Sequence, residues 1–325
     1  MEKFDKFPEI VMSIQDYGDG ISAVDSGYIR PMLDAIHLVV EQGRVAIVDT
    51  GSAHSLPRVV AALGTKGLGA EQVDWVLLTH VHLDHAGGAG AFMREFPNAR
   101  LGVHPRGGRH MADPSRLWEG AVAVYGESEA VRLYGTLEPV AKDRIVEMPH
   151  GSNFRLANRE FMVLDTPGHA RHHLSIVDSR TGHIFAGDTF GLSYRELDQD
   201  GRQFVMPTSS PVQFDPDAEH RTLELLLSHR PEAIYVTHYS QLRNVARLAE
   251  DMHRQVDALA EIGRRFRTAG PQRHRLMRDA IIERVFAEGR RHGWRHSREK
   301  VLDVLGLDID LNAQGLASWI DAAGA

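Results

Sequence analysis

The stretch that decides the fold is Thr79-His80-Val81-His82-Leu83-Asp84-His85, directly after the apolar run Trp75–Thr79. The compact apolar run predicts a buried strand. At the end of a strand, His80 and His82 can point the same way, because side chains alternate with a period of two. Asp84 and the histidine after it then lie on the turn that enters a helix. Imidazole and carboxylate ligands suit zinc, iron or manganese, so the loop favours a metal site over a polar loop that contains histidine by chance.

Three further residues of the same types follow later predicted strands. They are His169, Asp188 and His238. The strands that precede them are predicted at Phe161–Leu164, His183–Ala186 and Ala233–Val236. Ligands that converge at strand ends are what a preformed site needs, so we expect the three to meet the first loop.

This pattern resembles the metallo-β-lactamase superfamily, which includes glyoxalase II-like thioesterases, lactonases, phosphodiesterases and ribonuclease Z-like nucleases. The resemblance covers roughly residues 20–240 and implies an αββα sandwich of the mixed α/β (α+β) class. It also implies a site for two metal ions, in which Asp188 bridges them. One ion is assigned to His80, His82 and His169, and the other to Asp84, His85 and His238.

The chemistry that the resemblance implies is hydrolysis. Two divalent cations, zinc by donor type with iron or manganese as alternatives, hold a hydroxide between them that attacks a carbonyl or phosphoryl centre. Asp84 is the residue implied to orient the hydroxide and to move a proton. The chain has 19 His and no Cys, which excludes disulfides and thiolate ligands.

Two residues are predicted to support the ligands. Asp49, in Asp49-Thr50-Gly51, matches a family motif in which the carboxylate hydrogen-bonds a ligand histidine. A simple Asx turn is the alternative for this aspartate. His173 fits a position beside the site where the family often has a histidine, whereas His172 replaces a common glycine and is interpreted as structural.

The chain is predicted to divide into a catalytic domain, residues 1–240, and a helical C-terminal subdomain, residues 241–325. The catalytic domain has a helical or irregular insertion at about 105–142. Breaks between the C-terminal helices are predicted at Gly270-Pro271, at Gly293 and at Gly306 to Asp310. One apolar face is predicted to cover the sandwich near the mouth of the site, or a second subunit in a homodimer. Its members are Leu248, Met252, Val256, Leu259 and Ile262.

Substrate specificity in this fold comes from loops above the metals, and the expected substrate is a small molecule. The candidate substrate contacts are Tyr28, Tyr194, Phe214 and Asp215. Packing of the loops themselves is an equally good interpretation of these side chains.

Charge disfavours two classes of partner. The formal net charge of −7 gives no overall attraction to nucleic acid or to an anionic membrane. The first residues do not resemble a secretory signal and no apolar run approaches about 20 residues, so a cytoplasmic protein is expected.

Residues 264–300 have 12 Lys and Arg against 4 Asp and Glu. This basic stretch indicates a solvated helical face, a surface that docks on acidic groups, or an anion site.

Three functions remain open from the sequence. The first is a hydrolase of an ester, lactone, thioester or phosphoester. The second is an iron-dependent oxidoreductase of the same fold, although His82 stands where the flavin-linked di-iron branch has glutamate. The third is a metal-containing regulatory or binding protein that acts through its helical C-terminus.

Overall fold

The computed structural model describes residues 13–209 and 213–323, and within them two β-sheets are flanked by helices. The strands of the first sheet are β1 Ile14–Gly18, β2 Ile21–Asp25, β3 Ala35–Glu41, β4 Arg44–Val48, β5 Val73–Leu77, β6 Arg100–Val103 and β7 Ile145–Glu147. Those of the second sheet are β8 Asn153–Leu156, β9 Arg159–Asp165, β10 Leu174–Asp178, β11 Ile184–Gly187, β12 Ile234–Val236 and β13 Ser240–Leu242. The α-helices are α1 Leu56–Thr65, α2 Leu83–Ala86, α3 Ala89–Glu95, α4 Gly108–Ala112, α5 Ser115–Tyr125, α6 Glu127–Tyr134, α7 Pro216–Ser228, α8 Val245–Arg265, α9 Arg273–His292 and α10 Arg298–Ala323.

Each sheet mixes antiparallel and parallel pairs. In the first sheet the strands lie in sequence order, antiparallel from β1 to β4 and parallel from β4 to β7. In the second sheet the order is β13-β12-β11-β10-β9-β8, and only the β11–β12 pair is parallel. The parallel pairs are linked through helices that cover the sheet faces, as parallel strands require.

Strand β4 shows how the layers form. Val45 and Ile47 face outward toward α1 and α3, whereas Ala46 and Val48 face the second sheet. Both faces of the strand are buried because side chains alternate and each face has a covering layer. The core between the sheets includes Ile21, Val39, Leu77, Phe161, Val163, Ile176 and Phe185. The outer face of the second sheet packs on α7 and α8, which completes the predicted αββα sandwich.

Two expectations about secondary structure are wrong in detail. Strands β1, β2, β8 and β13 were not predicted, and β13 shows that the second sheet continues to Leu242, where we expected helix. The break expected at Gly306 to Asp310 is absent, because α10 runs unbroken from Arg298 to Ala323. An isolated glycine costs a helix only about 1 kcal/mol, and the buried face of α10 continues across Gly306. That face includes Val301, Leu305, Ile309, Ala313, Leu316 and Ile320.

The basic stretch 264–300 docks mostly on the chain's own acidic groups. Arg273 lies 2.6 Å from Asp321, and Arg278 lies 2.6 Å from Asp310. Arg284 contacts the buried Glu288, and Arg295 pairs with Asp200. Partly exposed pairs of this kind contribute little stability each. They join α9 to α10, and they join the segment after α9 to the loop at Asp200. Among the described residues, no helix is long and apolar enough to cross a membrane.

A chain that ends at Asn244, before α8, is expected to be insoluble or molten. The face of α8 that packs on the second sheet includes Leu248 and Met252, which are fully buried. Exposure of each such side chain costs about 1.5–3 kcal/mol, and domains have only about 5–15 kcal/mol in total. Near-UV circular dichroism and dye binding would detect lost packing. A well-folded, fully active truncated chain would contradict this expectation.

Candidate metal centre

The seven predicted ligands meet where the two sheets end. His80 and His82 follow β5, and α2 begins directly afterwards with Asp84 and His85 on its first turn. His169, Asp188 and His238 come from the loops that follow β9, β11 and β12. The possible ligand atoms form three groups, each within 4.8 Å. The groups are His80, His82 and His169; His80, His85 and Asp188; and Asp84, His85 and His238.

In the first group, ring nitrogens face one another at short range. The Nδ1 atom of His82 lies 2.8 Å from Nε2 of His80 and 3.0 Å from Nε2 of His169. In the group that contains Asp84, its Oδ2 atom lies 3.6 Å from Nε2 of His85 and 3.7 Å from Nε2 of His238. Each group therefore presents three donor atoms to one small volume.

The carboxylate of Asp188 lies between the two groups. Its Oδ1 atom is 3.3 Å from Nε2 of His85. Its Oδ2 atom is 3.6 Å from Nε2 of His169 and 3.4 Å from Nε2 of His238. One oxygen thus reaches ligands of both groups, which is the geometry that a bridging carboxylate requires.

The donor set fits divalent cations. Nε2 of His85 and Oδ1 of Asp188 are both buried and have no aligned hydrogen bond within the described part of the chain. A buried polar atom without a partner costs free energy. Cations held among these nitrogens and oxygens would remove that cost. Histidine and carboxylate donors suit zinc, and also iron or manganese.

The pKa shifts differ between the candidate ligands. Burial, and next the charge of His85 or His169 respectively, holds the pKa of His80 and His82 well below the usual value. Burial also acts to lower the pKa of His85 and His238, but nearby carboxylates, Asp188 first, outweigh it and raise the pKa well above its usual value. Metal binding at these two positions therefore displaces protons.

Asp49 lies where the resemblance placed it, against a ligand. Its Oδ2 atom is 2.9 Å from Nδ1 of His85 and accepts a hydrogen bond from the Thr237 hydroxyl at 2.9 Å. Its Oδ1 atom accepts from the backbone N–H of Thr79 at 2.8 Å. A carboxylate fixed in this way holds Nδ1 of His85 protonated and directs Nε2 at the centre.

His173 supports Asp188 through the backbone. Its Nδ1 atom is 2.8 Å from the Thr166 hydroxyl, and its Nε2 accepts from the Asp188 N–H at 3.2 Å. His172 has no such contact and lies with its ring 5.5 Å from that of His82. Burial lowers the pKa of His172 to about 4.

Two further supporting residues were missed in the sequence. Oδ1 of Asp34 lies 2.8 Å from Nδ1 of His238, and Asp34 is buried. Burial raises the pKa of Asp34 to about 6, although His238 opposes the shift. The hydroxyl of Thr208 lies 2.6 Å from Nδ1 of His169. A lone aspartate before a strand and a threonine in a loop have no local signature, so only the fold identifies them.

Two of the candidate substrate contacts lie near the ligands. The Tyr28 hydroxyl donates to the Tyr134 hydroxyl at 2.9 Å, and Tyr134 belongs to the predicted insertion. Burial and then the charge of Asp84 raise the pKa of both tyrosines well above the usual value, so both stay neutral. The ring of Tyr194 lies 6.4 Å from that of His238.

The other two candidates have structural roles. Oδ1 of Asp215 accepts from the Ala218 N–H at 2.9 Å and caps α7. Phe214 is buried with its ring 5.8 Å from that of Trp319 in α10. The alternative of loop packing therefore accounts for both. Residues 210–212, shortly before Phe214, lie outside the described part of the chain.

Comparison with known sequences finds a matching family model and several relatives. The model of the metallo-beta-lactamase superfamily matches residues 34–239. A metallo-beta-lactamase fold-containing protein of Sulfurisphaera tokodaii is 24% identical over 225 residues, covering 67% of this chain and 78% of that protein. A hydroxyacylglutathione hydrolase of Xanthomonas euvesicatoria is 31% identical over 169 residues, which is 52% of this chain and 48% of that enzyme. The chain thus spans about half the length of that hydrolase.

Solved structures show the same fold. A metallo-beta-lactamase family protein of Thermus thermophilus has a TM-score of 0.66 at 19% identity, covering 94% of this chain and 93% of that one. The structure of a peroxy diiron species of the chemotaxis sensor ODP has a TM-score of 0.51 at 14% identity. The match covers 75% of this chain and 94% of the sensor chain. At these identities the likeness establishes the fold alone.

Proposed function

The chain belongs to the metallo-β-lactamase superfamily, and from this premise we propose that it is a dinuclear metallo-hydrolase. The observation that supports the proposal most is the complete donor set, in which Asp188 lies between two groups of three ligands. The superfamily includes hydrolases such as hydroxyacylglutathione hydrolase. Every ligand position that the resemblance implied is filled by a histidine or an aspartate whose donor atom faces the centre.

The two aspartates of the centre differ in side-chain exposure, which gives them different proposed roles. Two bound divalent ions would supply an activated water and a Lewis acid for the substrate oxygen. The Asp84 side chain is 26% exposed, whereas that of Asp188 is 5% exposed. Asp84 can therefore reach a water on the open side of the centre, orient it and accept its proton. Asp49 and Asp34 fix the rings of His85 and His238, so the ligand geometry is set before substrate binds.

The proposed substrate is a small ester, lactone, thioester or phosphoester. The charge of Asp84 acts on both Tyr28 and Tyr134, and both stay neutral. Because Tyr28 donates its proton to Tyr134, the Tyr134 hydroxyl is the one proposed to donate to a substrate oxygen. Zinc is the proposed metal because of the imidazole and carboxylate donors, and iron is the alternative. A homodimer also remains a proposal.

Activity on a chosen panel tests this function. Protein reconstituted with zinc should hydrolyse at least one of an aryl ester, a lactone, a thioester and a phosphodiester. Chelator treatment should abolish the activity. The control variant Asp165→Asn, which changes a carboxylate outside the centre, should retain it. Heavy-oxygen water should label the product in a single turnover, because the attacking oxygen comes from water and not from a carboxylate of the protein. A trapped acyl-enzyme, or turnover that survives both chelation and His80→Ala, would contradict the proposal.

A further inference from the structure

Helix α10 reaches the metal centre through one buried side chain, Asn312. This residue is 1% exposed and belongs to the tail, outside the region that matches the family model. Its Nδ2 atom donates to the Pro207 carbonyl at 3.0 Å. Its Oδ1 atom accepts from the backbone N–H of Ser209 at 2.7 Å. The two arms of the amide thus bind the residues on both sides of Thr208.

The Ser209 hydroxyl adds to the same connection. It donates toward the Asn312 carbonyl, 3.0 Å away, and toward Oδ1 of Asn312, 3.1 Å away. Ser209 is itself buried, so these are contacts that water does not replace. The backbone from Pro207 to Ser209 is therefore fixed against α10 at three points.

Thr208, in the middle of this segment, contacts a predicted ligand. Its hydroxyl lies 2.6 Å from Nδ1 of His169, and its carbonyl lies 3.5 Å from the same nitrogen. Nε2 of His169 faces His82 and Asp188, so a ligand role requires the proton on Nδ1. Both Thr208 oxygens can accept that proton's hydrogen bond, which selects the tautomer and the ring orientation.

A second residue of α10 lies one turn earlier and points toward the other ligand group. Oδ1 of Asp308 accepts from the Tyr194 hydroxyl at 3.2 Å. The Tyr194 ring is 6.4 Å from that of His238. Positions four apart lie on one helix face, so one face of α10 approaches both halves of the centre.

We propose that Asn312 is a positioning residue that orients the ligand His169 by fixing Thr208, so that the C-terminal helix completes the metal centre. This rests on the proposed metal site and extends it beyond the αββα sandwich. The metal position expected to lose the most affinity is the one formed by His80, His82 and His169. A contact that holds α10 to the loop only for stability would leave metal affinity unchanged at temperatures where the variant is folded.

A double-mutant cycle on metal affinity tests the proposal. Metal-depleted full-length protein is titrated with zinc against a chromophoric chelator for wild type, Asn312→Ala, Thr208→Val and the double variant. Removal of a hydrogen-bond partner of a ligand histidine lowers metal affinity by about 10–100-fold. We therefore expect each single variant to bind zinc about tenfold more weakly at one of the two metal positions. If Asn312 acts through Thr208, the double variant should be no weaker than Thr208→Val alone.

Matched variants and melting curves make the outcome decisive. Asp310→Asn changes the same helix at its partly exposed pair with Arg278 and should keep wild-type affinity. If Asn312→Ala does not fold, Asn312→Ser replaces it in the cycle, since serine shortens the side chain without adding a charge. Unchanged affinity in the folded Asn312 variant, or losses that add in the double variant, would overturn the proposal. Failure of the hydrolase assignment would be seen separately, as normal zinc binding without turnover on the panel.

Discussion

Asp188→Ala is expected to release both metal ions and to lower kcat/KM by about a thousandfold or more. The carboxylate contacts His85, His169 and His238, which belong to both ligand groups. Its loss leaves two cations close together without the charge between them, and metal stabilisation of a transition state is worth several kcal/mol. Elemental analysis after gel filtration, together with initial rates, measures both effects.

A shape-preserving variant separates charge from packing at this position. Asp188→Asn retains one oxygen donor and the hydrogen bond from its own N–H to His173, so it should fold normally. We expect it to retain less metal than wild type and more than Asp188→Ala. An alanine variant that binds two ions per chain with wild-type affinity would show that Asp188 is not a bridge.

Asp84→Asn is expected to lower kcat by about 10²–10⁴-fold, the range for loss of a positioned acid or base. Much of the metal should remain, because His80, His82 and His169 are unchanged. The amide keeps the shape of the side chain but cannot accept a proton from water. Steady-state rates and metal content measured on the same preparation distinguish lost catalysis from lost metal.

Asp165→Asn is the matched control for this variant. Asp165 ends β9 and pairs with His104 at 3.1 Å, outside the ligand set. It should keep wild-type rate and metal content. An unchanged rate in Asp84→Asn would contradict the assignment of Asp84 as the group that orients water, even if the fold and the other ligands are correct.

The fold and the clustering of the candidate ligands were predictable because their signals are local. The His80 to His85 loop gathers four donors directly after an apolar strand, and each later ligand follows an apolar run of its own. The sandwich is confirmed by the two sheets and their helices. The edge strand β1 was missed because its residues are half-exposed and polar, which gives no apolar alternation.

The supporting residues were not predictable for a different reason. Asp34 acts through a close contact with His238, and Thr208 and Asn312 act through hydrogen bonds. All three contacts join segments far apart in the chain. No sequence pattern predicts such contacts, because a single polar residue in a loop or helix is ordinarily expected to face solvent. Phe214 and Asp215, two candidate substrate contacts, also have structural roles, because Phe214 packs near Trp319 and Asp215 caps α7.

The number of metal ions per folded chain tests the central claim most directly. Protein prepared without chelator, reconstituted with zinc and freed of excess metal, should contain two ions per chain by elemental analysis. Activity on the best panel substrate should rise until the second equivalent is bound. One ion or none at full activity would contradict a dinuclear centre built from His80, His82, Asp84, His85, His169, Asp188 and His238.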